Sequence, residues 1–481
     1  MSPLLVCSHR GPVTYRRAGR RLLPRSVGPG GLVPVMTPVM QRFGGRWMFA
    51  AFSADDREVA RSSPDGRARD RFVLQVLDVP EAMHRGHYEV VSVEYLGRLF
   101  HYLFELAHAP AFDRAFAAAW GDYARVNALY ADAVLRAPGE DPVFVEDHHL
   151  MLVGRDIRRL RPSFARPLLY FHHVPWCAPD YFALLPQAVR SEILSALLAH
   201  DCIAFHARRW ARAFLDCCDR FLPEAHVGED AVAWEDRSVP VFAAPAPVEV
   251  ATLARTARSP AADRWAARLT RLAAGRRALV RVDRADLWKN ALRGFQAFEL
   301  LLEQRPELAA EVCFLAVMTP TRTWVQEYRR YQEACERAAK RINDRFGGRG
   351  RGRRAPVSLL LARDPRLPDH HRALGALRVA DAVLVNPLFD GLNLVAKEAA
   401  VVSERDTVVV LSENAGAYED LAEGVLGINP FDVAQTADAL GRALDMPARE
   451  RRRRAATLKR AVRARTPEKW VREQLRAATG R

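Results

Sequence analysis

Short apolar runs alternate with long amphipathic stretches along this chain, and that alternation limits the fold more than any other feature. LLVCS (4–8), PVFVE (142–146), LLYFH (168–172) and CIAF (202–205) read as buried strands. So do ALVRVD (278–283), VCFLAV (312–317), VSLLLA (357–362), AVLVNP (382–387) and TVVVLS (407–412). Between them, 187–200, 290–304 and 324–345 carry apolar residues at spacings of three and four, the pattern of a helix with one buried face. Strand then helix, repeated, predicts an α/β protein with parallel sheets. The strands come in two blocks on either side of VFAAPAPVEV (241–250), whose prolines among small residues suit an interdomain crossing. Two doubly wound domains of this kind bind ligands at the carboxyl ends of their strands, so the expected site is a cleft between them, lined by the segments that follow strands.

Composition narrows the class. At roughly 100–200 residues per domain, 481 residues are too many for one core. No uncharged apolar run approaches the roughly 18 residues of a membrane span, and MSPLLVCSHRG lacks the basic start of a secretory leader. The expected location is therefore the cytoplasm. Seven cysteines with no C-x-x-C spacing fit reduced thiols better than a disulfide framework or a structural zinc site. The net charge of +15 invites a nucleic-acid reading, but the basic residues are spread along the chain and form no recognised binding motif. Only five of the 72 basic residues are lysines, the signature of a GC-rich coding sequence. The densest clusters, 347–354 and 449–454, read as a flexible loop and a solvated helix face.

Five segments carry chemistry. SHRGPVTY follows the first strand, and VGPGGLVPVM (27–36) places Gly30 and Gly31 before an apolar stretch, where backbone N–H groups can approach an anion; the alternative is a plain turn. There is no G-x-G-x-x-G and no G-K-[ST]. EDHHL (146–150) and FHHVPW (171–176) each put two histidines just past a strand. On extended backbone, adjacent histidines point to opposite sides, so one of each pair faces a cleft while the other packs. Neither H-x-x-x-H nor H-x-H occurs there, so no metal is expected, and hydrogen bonding to a polyhydroxylated ligand competes with satisfied strand-end histidines. In RVDRADLWKN (281–290), Arg284 and Lys289 offer two cations to a diphosphate. In NPLFDGLNLVAKEA (386–399), Asp390-Gly391 is expected to turn the chain into a helix beginning near Leu392, whose free N–H groups suit a phosphate. Glu398, eight residues past Asp390, lies about two turns on and suits a ribose diol; the alternative is a solvated glutamate on a capped helix.

These segments, with PTRTW, LSENAGAYEDL and INPFDV in the same order and spacing, resemble the trehalose-6-phosphate synthases, retaining glycosyltransferases of the GT-B fold, and the actinobacterial type in particular. The resemblance implies a Rossmann-like acceptor domain over 1–240, a Rossmann-like nucleotide-sugar domain over 241–455, and a helical segment over 456–481 that packs back on the first domain. It implies that Arg284 and Lys289 hold the donor diphosphate, that Gly30 and Gly31 close over it, and that Glu398 takes the ribose. Asp390 and the backbone at Asn393 and Leu394 would grip the donor sugar and diphosphate, with His173 beside that sugar and Asp147 near the reacting centre. Arg10, Tyr88 and Arg322 match the clamp on an acceptor 6-phosphate.

One departure bears on the acceptor. The family carries a tryptophan nine residues after the clamp tyrosine; nine from Tyr88 is Gly97, and no tryptophan occurs between Trp47 and Trp120. His9 stands where the family often has Asn, and His148 where it often has Tyr. The expected reaction moves glucose from GDP-glucose or UDP-glucose to glucose 6-phosphate on a single face, with no cofactor and no metal, because the protein supplies the cations. The expected partners are these small molecules, with no specific nucleic acid and no membrane; homo-oligomerisation stays open. The competing readings are a relative forming a 1,1-linked aminosugar or pseudo-sugar, as the related pseudo-glycosyltransferases do, a non-catalytic sugar-nucleotide sensor, and a basic nucleic-acid-binding protein.

Overall fold

The structure, a computed structural model, describes residues 2–27, 31–348, 354–362 and 370–480. Gly30 and most of the basic 347–354 segment lie outside these residues. The chain divides into two units, Met1–Ala246 with Pro467–Arg481, and Pro247–Thr466.

In the first unit a ten-stranded sheet runs His226–Val227, Ala231–Trp234, Arg237–Ala243, Cys202–Phe205, Leu168–His172, Val143–Glu146, Leu4–Ser8, Gly45–Ala50, Phe72–Leu77, Arg67–Arg69. From Arg237–Ala243 to Phe72–Leu77 every pairing is parallel, and only the two edges are antiparallel. LLVCS, LLYFH and CIAF are buried at every position, which explains why they read as continuous apolar runs: helices cover both faces of a parallel sheet. The helix Pro467–Thr479 belongs to this unit, with Trp470 only 1% exposed against the Phe171 ring, donating from Nε1 to Ala244 O at 2.8 Å.

The second unit holds a six-stranded sheet in the order Val357–Leu361, Val312–Thr319, Arg277–Arg284, Ala382–Val385, Val408–Ser412, Leu426–Ile428, parallel throughout. Numbered along the chain, that order is 3-2-1-4-5-6, in which the direction of winding reverses between the first and fourth strands. The parallel strands of the first unit reverse in the same way between Leu4–Ser8 and Val143–Glu146. At each reversal two loops leave neighbouring strands in opposite directions and open a crevice at the carboxyl edge.

Three local expectations need correction. The helix after Asn386–Pro387 spans Leu394–Val402 and starts two residues later than predicted, because the left-handed turn falls on Asn393 (φ 71°) and not on Gly391. Asp390 therefore sits in the loop before the helix, and the two-turn spacing to Glu398 does not apply. His148–Leu150 is one turn of 3₁₀ helix rather than extended chain, so His148 and His149 lie together, rings 4.0 Å apart. The 449–454 cluster is not simply a solvated face: Arg451 donates to Asp381 O at 2.6 Å and Arg454 to Val425 O at 2.8 Å, fastening the helix Ala448–Ala464 to the sheet.

Candidate active site

In the first unit the reversal brings together the ends of LLVCS and VFVE. Past the first strand, Ser8 Oγ accepts from Trp47 Nε1 at 2.8 Å and donates to Arg10 O at 2.9 Å, while Tyr130 OH donates to Ser8 O at 2.9 Å. Gly11 follows because nothing larger fits: a Cβ there would meet the Phe49 ring at 2.3 Å. These contacts place His9, 4% exposed, in a nest of rings. It stacks on His149 (4.7 Å, 5°) and Tyr88 (4.5 Å, 24°), with His84, His87 and Phe52 around it. The exposed Arg10 guanidinium lies 5.2 Å over the Phe52 ring. Burial, then His149, His87, His84 and Arg10, hold His9 well below the usual imidazole range; burial likewise takes His84 to about 4 and His87 to about 3. Burial thus keeps the His9, His84 and His87 rings neutral, and neither His9 ring nitrogen has a hydrogen-bond partner among the described residues.

Tyr88 and Gly97 both lie on Arg85–Gly97, thirteen residues of π-helix, a rare conformation that recurs at functional sites. At roughly 4.4 residues per π turn, nine residues make two turns, so position 97 shares the face of Tyr88; an α-helix would put it on the opposite face. The Gly97 carbonyl accepts from His101 Nδ1 at 2.8 Å, which anchors the end of this helix.

Past the second strand, Asp147 adopts φ 76° and turns its carboxylate back over the strand ends. Oδ1 accepts from His148 Nδ1 at 3.0 Å and from the His173 amide at 3.1 Å, and His149 Nδ1 lies 3.6 Å from Oδ2. Burial works to raise this carboxyl, but the charge and hydrogen bond of His148, with His149 and His173, outweigh it and hold Asp147 well below the usual carboxylate range. Asp147, His148 and His149 place ligand-type atoms within 4.8 Å of one another; their hydrogen bonds already use the Asp147 carboxylate inward. Of the FHHVPW pair, His172 is fully buried, packs against Phe100 and Trp176 and bonds Tyr170 OH at 2.9 Å. His173 faces the other way: Nε2 lies 2.5 Å from Glu146 Oε2 and Nδ1 3.1 Å from His206 Nε2.

The reversal of the second unit gathers charges instead. Lys289, on the turn Leu287–Lys289, meets Asp390 Oδ2 at 2.5 Å, and Asn393 Nδ2 donates to the same oxygen at 3.1 Å. Fully buried Asp286 pairs with Arg284 at 2.7 Å and with Arg322, whose guanidinium also lies 5.0 Å over the Trp288 ring. Beneath them, buried Arg281 donates to Asp283 Oδ2 and to Lys289 O, both at 2.8 Å. Asn290 (φ 58°) donates to Asn386 O at 3.0 Å and to Pro430 O at 2.8 Å, tying the two loops together. Asn393 caps Leu394–Val402 through Val395 N at 3.2 Å. Glu398 is half-buried on that helix and hydrogen-bonds no other described residue; burial lifts its carboxyl to about 7. A carboxyl kept from water and from partners is a recognisable ligand-binding position.

Lys289, Arg284, Asp390, Asn393, Leu394, Glu398 and Arg322 thus fall in the second unit, and Arg10, Tyr88, Gly97, Asp147 and His173 in the first, with Gly31 (φ 63°) two residues before the helix Val33–Phe43. The residues that sequence reasoning did not single out are the supports: Asp286, Arg281, Asn290, Glu146 and His206. Glu146, His206 and Asp286 stand at a strand end or one or two residues past it, and that position was their only signal; Arg281, inside a strand, and Asn290, in a loop, gave none.

Two doubly wound sheets, each with a polar reversal point, one rich in paired cations and one in rings and a carboxylate, have the architecture of the GT-B fold. Residues 2–479 match the family model described as glycosyltransferase family 20. The validamine 7-phosphate valienyltransferase of Streptomyces hygroscopicus subsp. jinggangensis is 30% identical, over 98% of this chain and 94% of that protein. The trehalose-6-phosphate synthase of Mycolicibacterium gilvum is 32% identical, over 94% and 89%. The crystal structure of an α,α-trehalose-phosphate synthase (UDP-forming) from Burkholderia vietnamiensis superposes with a TM-score of 0.82 at 28% identity, over 100% of both chains. The chain belongs to glycosyltransferase family 20. No described helix is long and apolar enough to cross a membrane.

Proposed function

We propose that the protein transfers glucose, with retention, from a nucleoside diphosphate glucose to glucose 6-phosphate, forming α,α-trehalose 6-phosphate. The observation that carries this reading is the charge cluster at the second unit's reversal point. Lys289 has three donors and gives one to Asp390, leaving two for a diphosphate; Arg284 and the start of Leu394–Val402 add to the positive field, and Glu398 suits the two ribose hydroxyls. These fixed cations stabilise the charge that grows on the leaving phosphate, so the reading calls for no metal. That phosphate accepts the acceptor's proton as the new bond forms on the face it leaves. In the first unit, Arg10 and Tyr88 take the acceptor phosphate, with Asp147 and His173 at the reacting sugar.

A second reading is favoured by one observation. Position 97 shares the Tyr88 face of the π-helix and carries no side chain, so the indole that the family places there is missing. A relative 30% identical is a valienyltransferase acting on validamine 7-phosphate. The acceptor is then a phosphorylated aminosugar or aminocyclitol. The deciding experiment measures nucleoside diphosphate release from UDP-, GDP- and ADP-glucose, with and without glucose 6-phosphate. Release that depends on glucose 6-phosphate and yields a phosphorylated nonreducing disaccharide supports the first reading. Donor binding without release, recovered by an amino acceptor, replaces it with the second.

A further inference from the structure

Both ring nitrogens of His173 are hydrogen-bonded within the first unit, and the direction of each bond is set by a group that acts in one sense only. The Ala246 amide lies 3.3 Å from His206 Nδ1. An amide N–H only donates, so Nδ1 of His206 accepts and its proton sits on Nε2. His206 Nε2, 3.1 Å from His173 Nδ1, therefore donates, and the His173 proton sits on Nε2, 2.5 Å from Glu146 Oε2. A cationic His173 reverses the middle bond. Its Nδ1–H would need His206 Nε2 as acceptor, and His206 Nδ1–H would then face the Ala246 N–H, donor against donor. The chain of bonds runs one way, from Ala246 to Glu146.

Glu146 ends that chain at 0% exposure, and its other oxygen, Oε1, is buried with no hydrogen-bond partner among the described residues. Burial pushes its carboxyl up, against the pull of the His173 hydrogen bond. An unpartnered buried carboxylate oxygen is destabilising, and an apolar side chain of similar size would avoid that loss, so its presence calls for a reason outside stability.

We propose that Glu146 is a positioning residue for glycosyl transfer: by accepting from Nε2 it holds His173 as the Nε2–H tautomer in one ring orientation, with Nδ1 on His206 and the ring beside Asp147. The proposal rests on the reading of Asp147 and His173 as the groups at the reacting sugar. Glycosyl transfer builds positive charge on the sugar ring. A cationic His173 there opposes that charge, whereas a neutral ring with Glu146 behind it and Asp147 next to it does not. With both ring nitrogens engaged and its amide given to Asp147 Oδ1, His173 contributes position and neutrality rather than a proton.

The test uses the full chain with ¹⁵N-labelled histidine, the His173 signals being assigned by their loss in His173→Asn. Wild-type protein is expected to show the neutral Nε2–H form; in Glu146→Leu the unpaired Nε2–H lets the ring leave His206, and the shifts should average between the two tautomers. In that variant kcat should fall at least about tenfold, the scale on which an outer partner of a functional histidine acts, with donor KM within about threefold. Glu146→Gln should recover most of the loss, because its amide oxygen accepts from Nε2, and it keeps the test alive if the leucine variant does not fold. A cationic or Nδ1–H His173 in the wild type, a leucine variant with unchanged kcat, or a glutamine variant as slow as leucine with the tautomer intact would each overturn the proposal. If wild-type protein turns over no acceptor, the functional reading fails and takes the catalytic role with it. The ring shifts still report whether Glu146 sets the tautomer.

Discussion

At the reversal point of the first unit burial keeps the His9, His84 and His87 rings neutral, while at that of the second the side chains are charges locked into pairs. The strand order around the two points is alike, so topology supplies a crevice at the carboxyl edge and nothing more. What fills it follows from the neighbouring residues. His9 has only aromatic and imidazole neighbours on its ring faces and cannot keep a proton. Lys289 has Asp390 at 2.5 Å, and Arg284 and Arg322 share Asp286. The lesson is that a doubly wound sheet fixes where its crevice opens, and the segments that leave each strand end decide what chemistry fills it.

The comparison breaks most sharply at Lys289. Replacement by alanine is expected to lower kcat/KM by about 10²–10³, the loss that follows removal of one group aimed at developing charge, with the thermal midpoint little changed. Nucleoside diphosphate release measures the first and a melting curve the second; near-normal turnover would remove the diphosphate role. Glu398→Gln should raise donor KM about tenfold with kcat nearly intact, as expected when a hydrogen bond to a charged group is lost. Because burial lifts Glu398 to about 7, wild-type donor KM should fall as pH rises from 6 to 8, whereas the glutamine variant should stay flat.

The two units should also respond oppositely to acid. His84 and His87 are depressed from 6.5 to about 4 and about 3, so their contribution to stability is present above pH 6.5 and is lost as pH falls through those values. Glu398 is raised from 4.5 to about 7, so its contribution is present below 4.5 and is lost as pH rises through 7. Hydrogen exchange at pH 7.5 and 5.0 should show protection falling around His84–Tyr88 and holding or rising around Leu394–Val402. Parallel loss in both would show that burial does not raise Glu398, and unchanged protection around His84–Tyr88 would show that burial does not keep those rings neutral. The smallest effect is expected at Arg451. Alanine there should cost about 1–2 kcal/mol through two lost hydrogen bonds, read as a lower melting temperature, and leave donor KM unchanged.

Most of the sheet framework was legible because parallel strands buried on both faces cannot hide their composition: LLVCS, LLYFH, CIAF and VVVLS are buried at every position and apolar at nearly all of them. Strands nearer an edge were not. GRWMFA starts on a glycine and an arginine, and FVLQVL alternates buried with half-buried positions and carries Gln75, so neither stands out from its surroundings. The π-helix Arg85–Gly97 was unreadable for a different reason. Its glycines and β-branched residues argue against any helix, and only the surrounding packing selects that conformation. At the candidate site, the residues proposed to reach a ligand announce themselves by charge after a strand. Those that hold them do not: Asp286 and Glu146 have the same spelling as solvated acids, and only their zero exposure tells them apart.

The helix Pro467–Thr479 has a consequence for the order in which the protein is made. The first unit's sheet is translated by Ala246, but Trp470, which fills the space over Phe171 and ties Ala244, arrives some 220 residues later. At about 5–20 residues per second, roughly 10–45 seconds pass in which the unit that begins first stands unfinished while the whole of the second emerges and can fold. The nascent chain thus completes its later half before its earlier one. A ribosome that stalls after Thr466 releases an intact second unit joined to a first unit with an open apolar seam, the part that chaperones and proteases would meet.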